Sequence, residues 1–148
     1  MKKKIQRLKL TYCIAAFLAF LGGVTIYAFL RDINNIVFFN FFPKPSFLNT
    51  LYKPLQADSI WSNMFIYNLP DGLWLLSGLL FLRVLWYEKP KAFLIYRLCF
   101  LFIAFFFEIS QMFYGIAGTF DILDLLTMGS ITLLESVVHK IKFIRRQL

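Results

Sequence analysis

The chain has 148 residues, 59% hydrophobic, 20% aromatic and 16% charged, with a formal net charge of +8 and a mean hydropathy of +0.67. A domain of this size leaves a large share of its surface exposed, so this much apolar area excludes an ordinary water-soluble globule. The basic excess does not point to nucleic acid, because it flanks apolar runs: Lys2, Lys3, Lys4, Arg7 and Lys9 precede the first, and Lys140, Lys142, Arg145 and Arg146 follow the last. Such flanks orient membrane spans and contact anionic lipid headgroups, so the lipid bilayer is the expected partner.

Four apolar runs are long enough to cross a bilayer, and in hydrocarbon every backbone polar group needs an internal partner, so all four are expected to be helices. The first covers about residues 10–30. Its basic lead and long apolar run, with no small-residue cleavage site after it, read as an uncleaved anchor. Residues 31–68 follow as one long connection with aromatic clusters at 36–42 (IVFFNFF) and 60–67 (IWSNMFIY), broken by Pro43, Pro45 and Pro54. That composition predicts short amphipathic segments on the outer membrane surface, with a reentrant hairpin or a lid as alternatives. The second span is expected at about 69–87, the third at about 92–113 and the fourth at about 122–138. Short connections at 88–91 and 114–121 make consecutive helices antiparallel.

The expected fold class is therefore all-α, an integral membrane bundle of four transmembrane helices in a single domain over residues 1–148. Basic residues concentrate on the side of the N-terminus, the Lys89/Lys91 turn and the tail, which predicts that both termini are cytoplasmic. Cys13 and Cys99 lie inside apolar runs and are expected to be buried free thiols. Gly22, Gly23 and Gly78 are expected to permit close helix packing.

Charges inside the spans fall into two groups by depth. Arg83 lies twelve residues beyond Asp71, about 18 Å by helical rise, and Glu135 lies eleven beyond Asp124, about 16 Å. Arg83 and Glu135 thus match in depth near the cytoplasmic side, and a structural ion pair between them is expected, with Arg97 a rival partner for Glu135. The alternative is that these side chains reach out to the inner headgroups. Asp71, Glu108, Asp121 and Asp124 gather at the opposite end, with Gln111 one turn beyond Glu108. No basic residue lies in these helix ends and only Arg31, Lys44 and Lys53 of the long connection could reach over, and acids collected without built-in counter-charge bind a cation or hold a proton. Asp71, after Pro70, and Asp121 also suit helix capping. Glu108 sits at the C-terminal end of its helix, where the dipole disfavours an anion, so it is the strongest candidate for a functional carboxylate. His139 is the single histidine and lies in the tail, which excludes a Ser-His-Asp or His-ligated zinc site at the acidic end. Oxygen ligands would suit a divalent cation, although no EF-hand spacing is present. No other cofactor is indicated.

One stretch carries a family resemblance. Glu108-x-x-Gln111, a short turn, then Gly118-x-Phe120-Asp121-x-x-Asp124 opening a helix resembles the VanZ-like family of small bacterial membrane proteins over about residues 68–138. Asp71 corresponds to the acidic position in the family's earlier helix. The chain departs from the family pattern by lacking an Arg before Phe120, a Lys and His after Asp71, and an Asn in the last helix, where Met128 stands. The resemblance implies a multi-pass protein of the bacterial inner membrane, associated with the cell envelope and the response to glycopeptide antibiotics.

The leading functional expectation is an outward acidic pocket of Asp71, Glu108, Gln111, Asp121 and Asp124 that binds a cation or an envelope or lipid-linked ligand. Two alternatives are a small cation- or proton-coupled transporter subunit and a non-catalytic membrane assembly partner. Carboxylates can also perform acid–base chemistry, so the sequence leaves enzyme activity open.

Overall fold

A computed structural model describes residues 2–30, 59–113 and 120–144, with side chains described as far as residue 138. All secondary structure among these residues is helical. The four long helices are α1 (Lys2–Leu30), α2 (Ile60–Leu85), α3 (Pro90–Ser110) and α4 (Ile122–Ile144). Helices α1, α2 and α3 are long and apolar enough to cross a membrane. The 23-residue α4 carries Asp124 and Glu135 within its apolar length.

The second helix begins earlier than the sequence pattern suggests. Residues 60–68, expected as part of a surface loop, form the first turns of α2, while residues 31–58 lie outside the described set. Ser59 supplies the start: its hydroxyl accepts from the Ser62 N–H at 3.2 Å, and the Ser62 hydroxyl accepts from the Ser59 N–H at 3.0 Å. This reciprocal capping box satisfies donors that a helix end leaves orphaned. Pro70 then falls inside a helix, where it lacks an N–H and its ring crowds the carbonyl four residues back. The chain responds with a π turn over Met64–Asn68, closed by the Leu69 N–H on the Met64 carbonyl. Widening the helix just before a proline relieves that clash without ending the helix.

Contacts fix the directions. Lys9 meets Glu88 and Tyr27 meets Trp74, so α1 runs antiparallel to α2. Asn68 meets Asp124 and Arg83 meets Glu135, so α2 and α4 run parallel. Arg97 meets Ser136 and Glu108 meets Asp121, so α3 opposes α4. The start of α1, the α2–α3 turn and the far part of α4 therefore share one end of the bundle, here called the basic end. The opposite end carries Asp71, Glu108, Asp121 and Asp124 and is called the acidic end.

Helix α2 is central. Against it α1 lays the face Tyr12, Ala16, Ala19 and Gly23, spaced four, three and four residues apart and buried throughout. At Gly23 a β-carbon would stand 2.5 Å from the indole Nε1 of Trp74 and 3.1 Å from the Pro70 carbonyl, so only glycine admits this approach. Gly78 likewise lies against the Phe100 ring, whereas Gly22 has only ordinary contact with Leu73. A small apolar centre of Leu75, Leu79 and Met128 is covered by Phe100, Leu101, Ala104 and Phe105 from α3.

Outside this centre the usual order is inverted. The buried residues of α3 are Glu108 and Ser110, while Leu94, Phe102, Ile103, Phe106 and Phe107 face outward. Cys13 and Cys99 are free but exposed on outer helix faces, not buried as their apolar surroundings suggest. Both sit in runs whose apolar side chains face outward, and an apolar run does not disclose which face packs.

At the basic end the Lys9 ammonium bonds Glu88 at 2.7 Å and holds that carboxyl below its ordinary value of 4.5. With its folded pKa depressed, the Glu88 contact stabilises above the ordinary carboxylate range and is lost as pH falls through the lowered value. The pair is surface-exposed, so acid titration of Lys9→Ala beside the parent should show a small stability difference near neutrality that vanishes in acid.

Glycine substitution tests the packing more severely. Gly23→Ala is expected to destabilise by about 1–3 kcal/mol through overpacking against Trp74. Gly129→Ala, where a β-carbon meets nothing within 4 Å, should not destabilise. Thermal unfolding of the two variants in detergent measures the contrast.

Candidate functional site

The acidic end is assembled from two helix termini, the end of α3 and the start of α4, and two side chains from within α2, Asn68 and Asp71. Asp121 begins α4 as a cap: its Oδ1 accepts from the Leu123 N–H at 2.9 Å. Its own N–H donates to Glu108 Oε1 at 3.4 Å, and Gln111 Nε2 donates to Glu108 Oε2 at 3.2 Å. Glu108 is thus set at the unfavourable end of α3 but directly against the N-terminal start of α4. There free N–H groups and the helix dipole favour an anion. The sequence offered no structural account of Glu108; this geometry supplies one.

Asp71 stands apart from a capping role, because the helix is already under way from Ile60 when it reaches Pro70. Its place is in a cleft of about 330 Å³ between α2, α3 and α4, lined by Asp71, Glu108 and Gln111 together with Trp74, Phe100 and Phe107. Met128 forms part of the apolar floor. The five predicted site residues therefore divide. Asp71, Glu108 and Gln111 face the cleft; Asp121 and Asp124 turn to a residue the sequence reading did not single out.

That residue is Asn68, only 1% exposed. Its Nδ2 donates to Asp124 Oδ1 at 2.7 Å and to Asp121 Oδ2 at 3.2 Å. One carboxamide thus serves two carboxylates, using both of its N–H bonds. The signal for it was present: treated as one helix, residues 60–85 place an asparagine deep in an apolar segment, and such polar residues mark sites. Pro70 hid it by reading as a helix start, which left 60–68 as loop.

At the basic end Arg83 and Glu135 lie together. Arg83 Nε donates to Glu135 Oε1 at 3.0 Å, and its Nη2 bonds the same oxygen. Their side chains are 6% and 3% exposed, so neither reaches out to the bundle surface. Arg97 is a second partner: its Nη2 lies 3.4 Å from Glu135 Oε2 and donates to Ser136 Oγ at 2.6 Å. The Arg83 guanidinium also stacks over the Phe93 ring, 4.5 Å from its centroid. The result is one buried acid between two arginines.

Among the described residues, no group of three or more His, Cys, Asp or Glu side chains is arranged to hold a metal ion. Comparisons with protein-family models, curated proteins and solved structures give no match for this chain.

The arginine–glutamate–arginine cluster makes an asymmetric prediction. Removing Arg83 leaves Glu135 still paired with Arg97, whereas Glu135→Gln leaves the buried Arg83 and the part-buried Arg97 without their shared anion. Breaking a buried pair costs about 3–5 kcal/mol. Glu135→Gln should approach that loss and Arg83→Met should fall clearly short of it, as read from thermal unfolding of both variants.

Proposed function

We infer that the chain is a four-span protein of the bacterial inner membrane, with its acidic end outward, and that its cleft binds the cationic head of an envelope amphiphile. The inverted burial of α3, with phenylalanines outside and a glutamate inside, supports a lipid surrounding. The basic flanks at the other end support cytoplasmic termini. The similarity to VanZ-like proteins, through Glu108, Gln111, Asp121 and Asp124, supports a role in the envelope and its response to glycopeptides.

One observation carries the binding reading: the cleft joins Asp71 and Glu108 to the aromatic side chains Trp74, Phe100 and Phe107. Carboxylates attract a cation, and aromatic faces accept an organic ammonium better than a hydrated metal ion. Gln111 adds a polar group beside Glu108 for orientation. The exposed apolar surface around the bundle keeps a ligand's hydrocarbon tail in lipid while its head enters the cleft.

Binding of a long-chain alkylammonium to the purified chain, compared with its uncharged alcohol analogue, tests this reading. The ammonium should bind preferentially, and Asp71→Asn and Glu108→Gln should each weaken it by about tenfold or more, equivalent to about 1.4 kcal/mol. Equal binding of ammonium and alcohol, or unchanged affinity in both variants at native helix content, contradicts it.

A further inference from the structure

Helices α1 and α4 both pack on α2 but hardly touch each other, which leaves a groove over α2 between them. Its volume is about 240 Å³, and Leu76, Leu80, Ile131 and Leu134 wall its apolar length. The lining positions recur every three or four residues from Leu76 to Arg83 on α2 and from Ile131 to Val138 on α4. Such spacing follows one helix face, so the groove runs along the helices for about 10 Å. Leu134 and Val138 are exposed at its rim, so it opens sideways to whatever surrounds the bundle. Water finds few polar partners along such a wall, whereas a hydrocarbon chain lying parallel to the helices gains dispersion contacts over its whole length.

The basic end of the groove has a different character, because Tyr12, Arg83 and Glu135 line it there. Tyr12 meets Tyr87 with ring centroids 6.4 Å apart, and Trp86 stacks on Tyr96 at 4.7 Å in the same part of the bundle. Tyr and Trp collect at the headgroup level of a membrane, so this band places the groove mouth at that level. Arg83 and Arg97 share one carboxylate there, Glu135, which sets two positive charges against one negative. Glu88, the other acid described at this end, is held by Lys9. Buried charge is weakly screened, so the surplus is felt at the mouth. A phosphate at that position is attracted, while a headgroup ammonium brings a further positive charge to a site that already has an excess.

We propose that the groove between α1, α2 and α4 is a binding site for one anionic phospholipid, with an acyl chain along Leu80, Ile131 and Leu134 and the phosphate at the mouth beside Tyr12 and Arg83. The apolar wall selects a hydrocarbon chain, and the surplus positive charge selects the headgroup. This goes further than a general attraction of basic flanks for an anionic surface, because the charge that selects is built into the bundle and the chain has its own place. The arginine–glutamate–arginine cluster thereby has a second consequence besides holding α2, α3 and α4 together: its odd charge is matched by the lipid. The proposal rests on the bundle lying in a bilayer, and on neither the acidic cleft nor the direction in which the bundle faces.

Thermal unfolding of the full chain in detergent, titrated with phosphatidylglycerol or with phosphatidylcholine of identical acyl chains, tests it. The titrations are made at about 0.5 M sodium chloride, where exposed charges are screened within a few ångströms and buried ones much less. The parent should be stabilised by phosphatidylglycerol at an apparent affinity about fivefold above that for phosphatidylcholine, the weight of about one basic residue near an anionic lipid. Leu134→Trp fills the groove and keeps every charge, so it should lose the preference. Arg97→Gln keeps the groove wall and removes the surplus charge, so it should bind the two lipids about equally. Asp71→Asn, which disables the cleft, should keep the preference, so failure of the cleft reading and failure of this one are told apart. Equal affinity of the parent for both lipids overturns the proposal. So does an undiminished preference in Leu134→Trp or Arg97→Gln, which would leave the basic flanks as its source, or loss of the preference in Asp71→Asn. If Leu134→Trp does not fold, Val138→Trp at the exposed rim takes its place under the same criteria.

Discussion

Pro70 imposes the constraint from which the acidic end follows. A buried proline inside a helix removes one N–H and crowds a carbonyl one turn back. The chain absorbs this by widening Met64–Asn68 into a π turn and continuing as α2. That widening resets the phase of the helix and directs Asn68 at the start of α4, where it ties Asp121 to Asp124. The same proline offers its carbonyl to the glycine face of α1, so one residue shapes both interfaces of the central helix.

From α2 outward the bundle separates its charges by end. Near the basic end Glu135 is neutralised between two arginines, with the Arg83 guanidinium over the Phe93 ring and Arg97 bonded to polar α4 groups. At the acidic end, among the described residues, Glu108, Asp121 and Asp124 accept hydrogen bonds from backbone N–H groups and two carboxamides. This difference is chemical in kind. The basic-end cluster is a set of ion pairs, whereas the hydrogen bonds described at the acidic end come from neutral donors.

Much of this was legible in the residues. Apolar runs disclose helices because period, length and composition agree, and depth counting brought Arg83 level with Glu135. The family-like spacing singled out Glu108, Gln111, Asp121 and Asp124. What stayed hidden depends on packing. Pro70 after an aromatic segment reads as a helix start, and the Ser59 box that begins the helix eleven residues earlier is a short local signal. Without that longer helix, Asn68 reads as loop. Glu108 looked unexplained because its partner, the Asp121 N–H, comes from the next helix, and spacing along the chain does not give backbone positions across a turn. The outward faces of Cys13 and Cys99 were hidden for the same reason.

The central claim is that the acidic end faces outward and the basic end faces the cytoplasm. Labelling of single cysteines by a membrane-impermeant thiol reagent on intact cells tests it most directly, with Cys13 and Cys99 first replaced by serine. A cysteine at Met112, exposed at the acidic end, should react, and one at Lys89, exposed in the α2–α3 turn, should react only after the membrane is opened. The reverse pattern, or reaction of both in intact cells, contradicts the account.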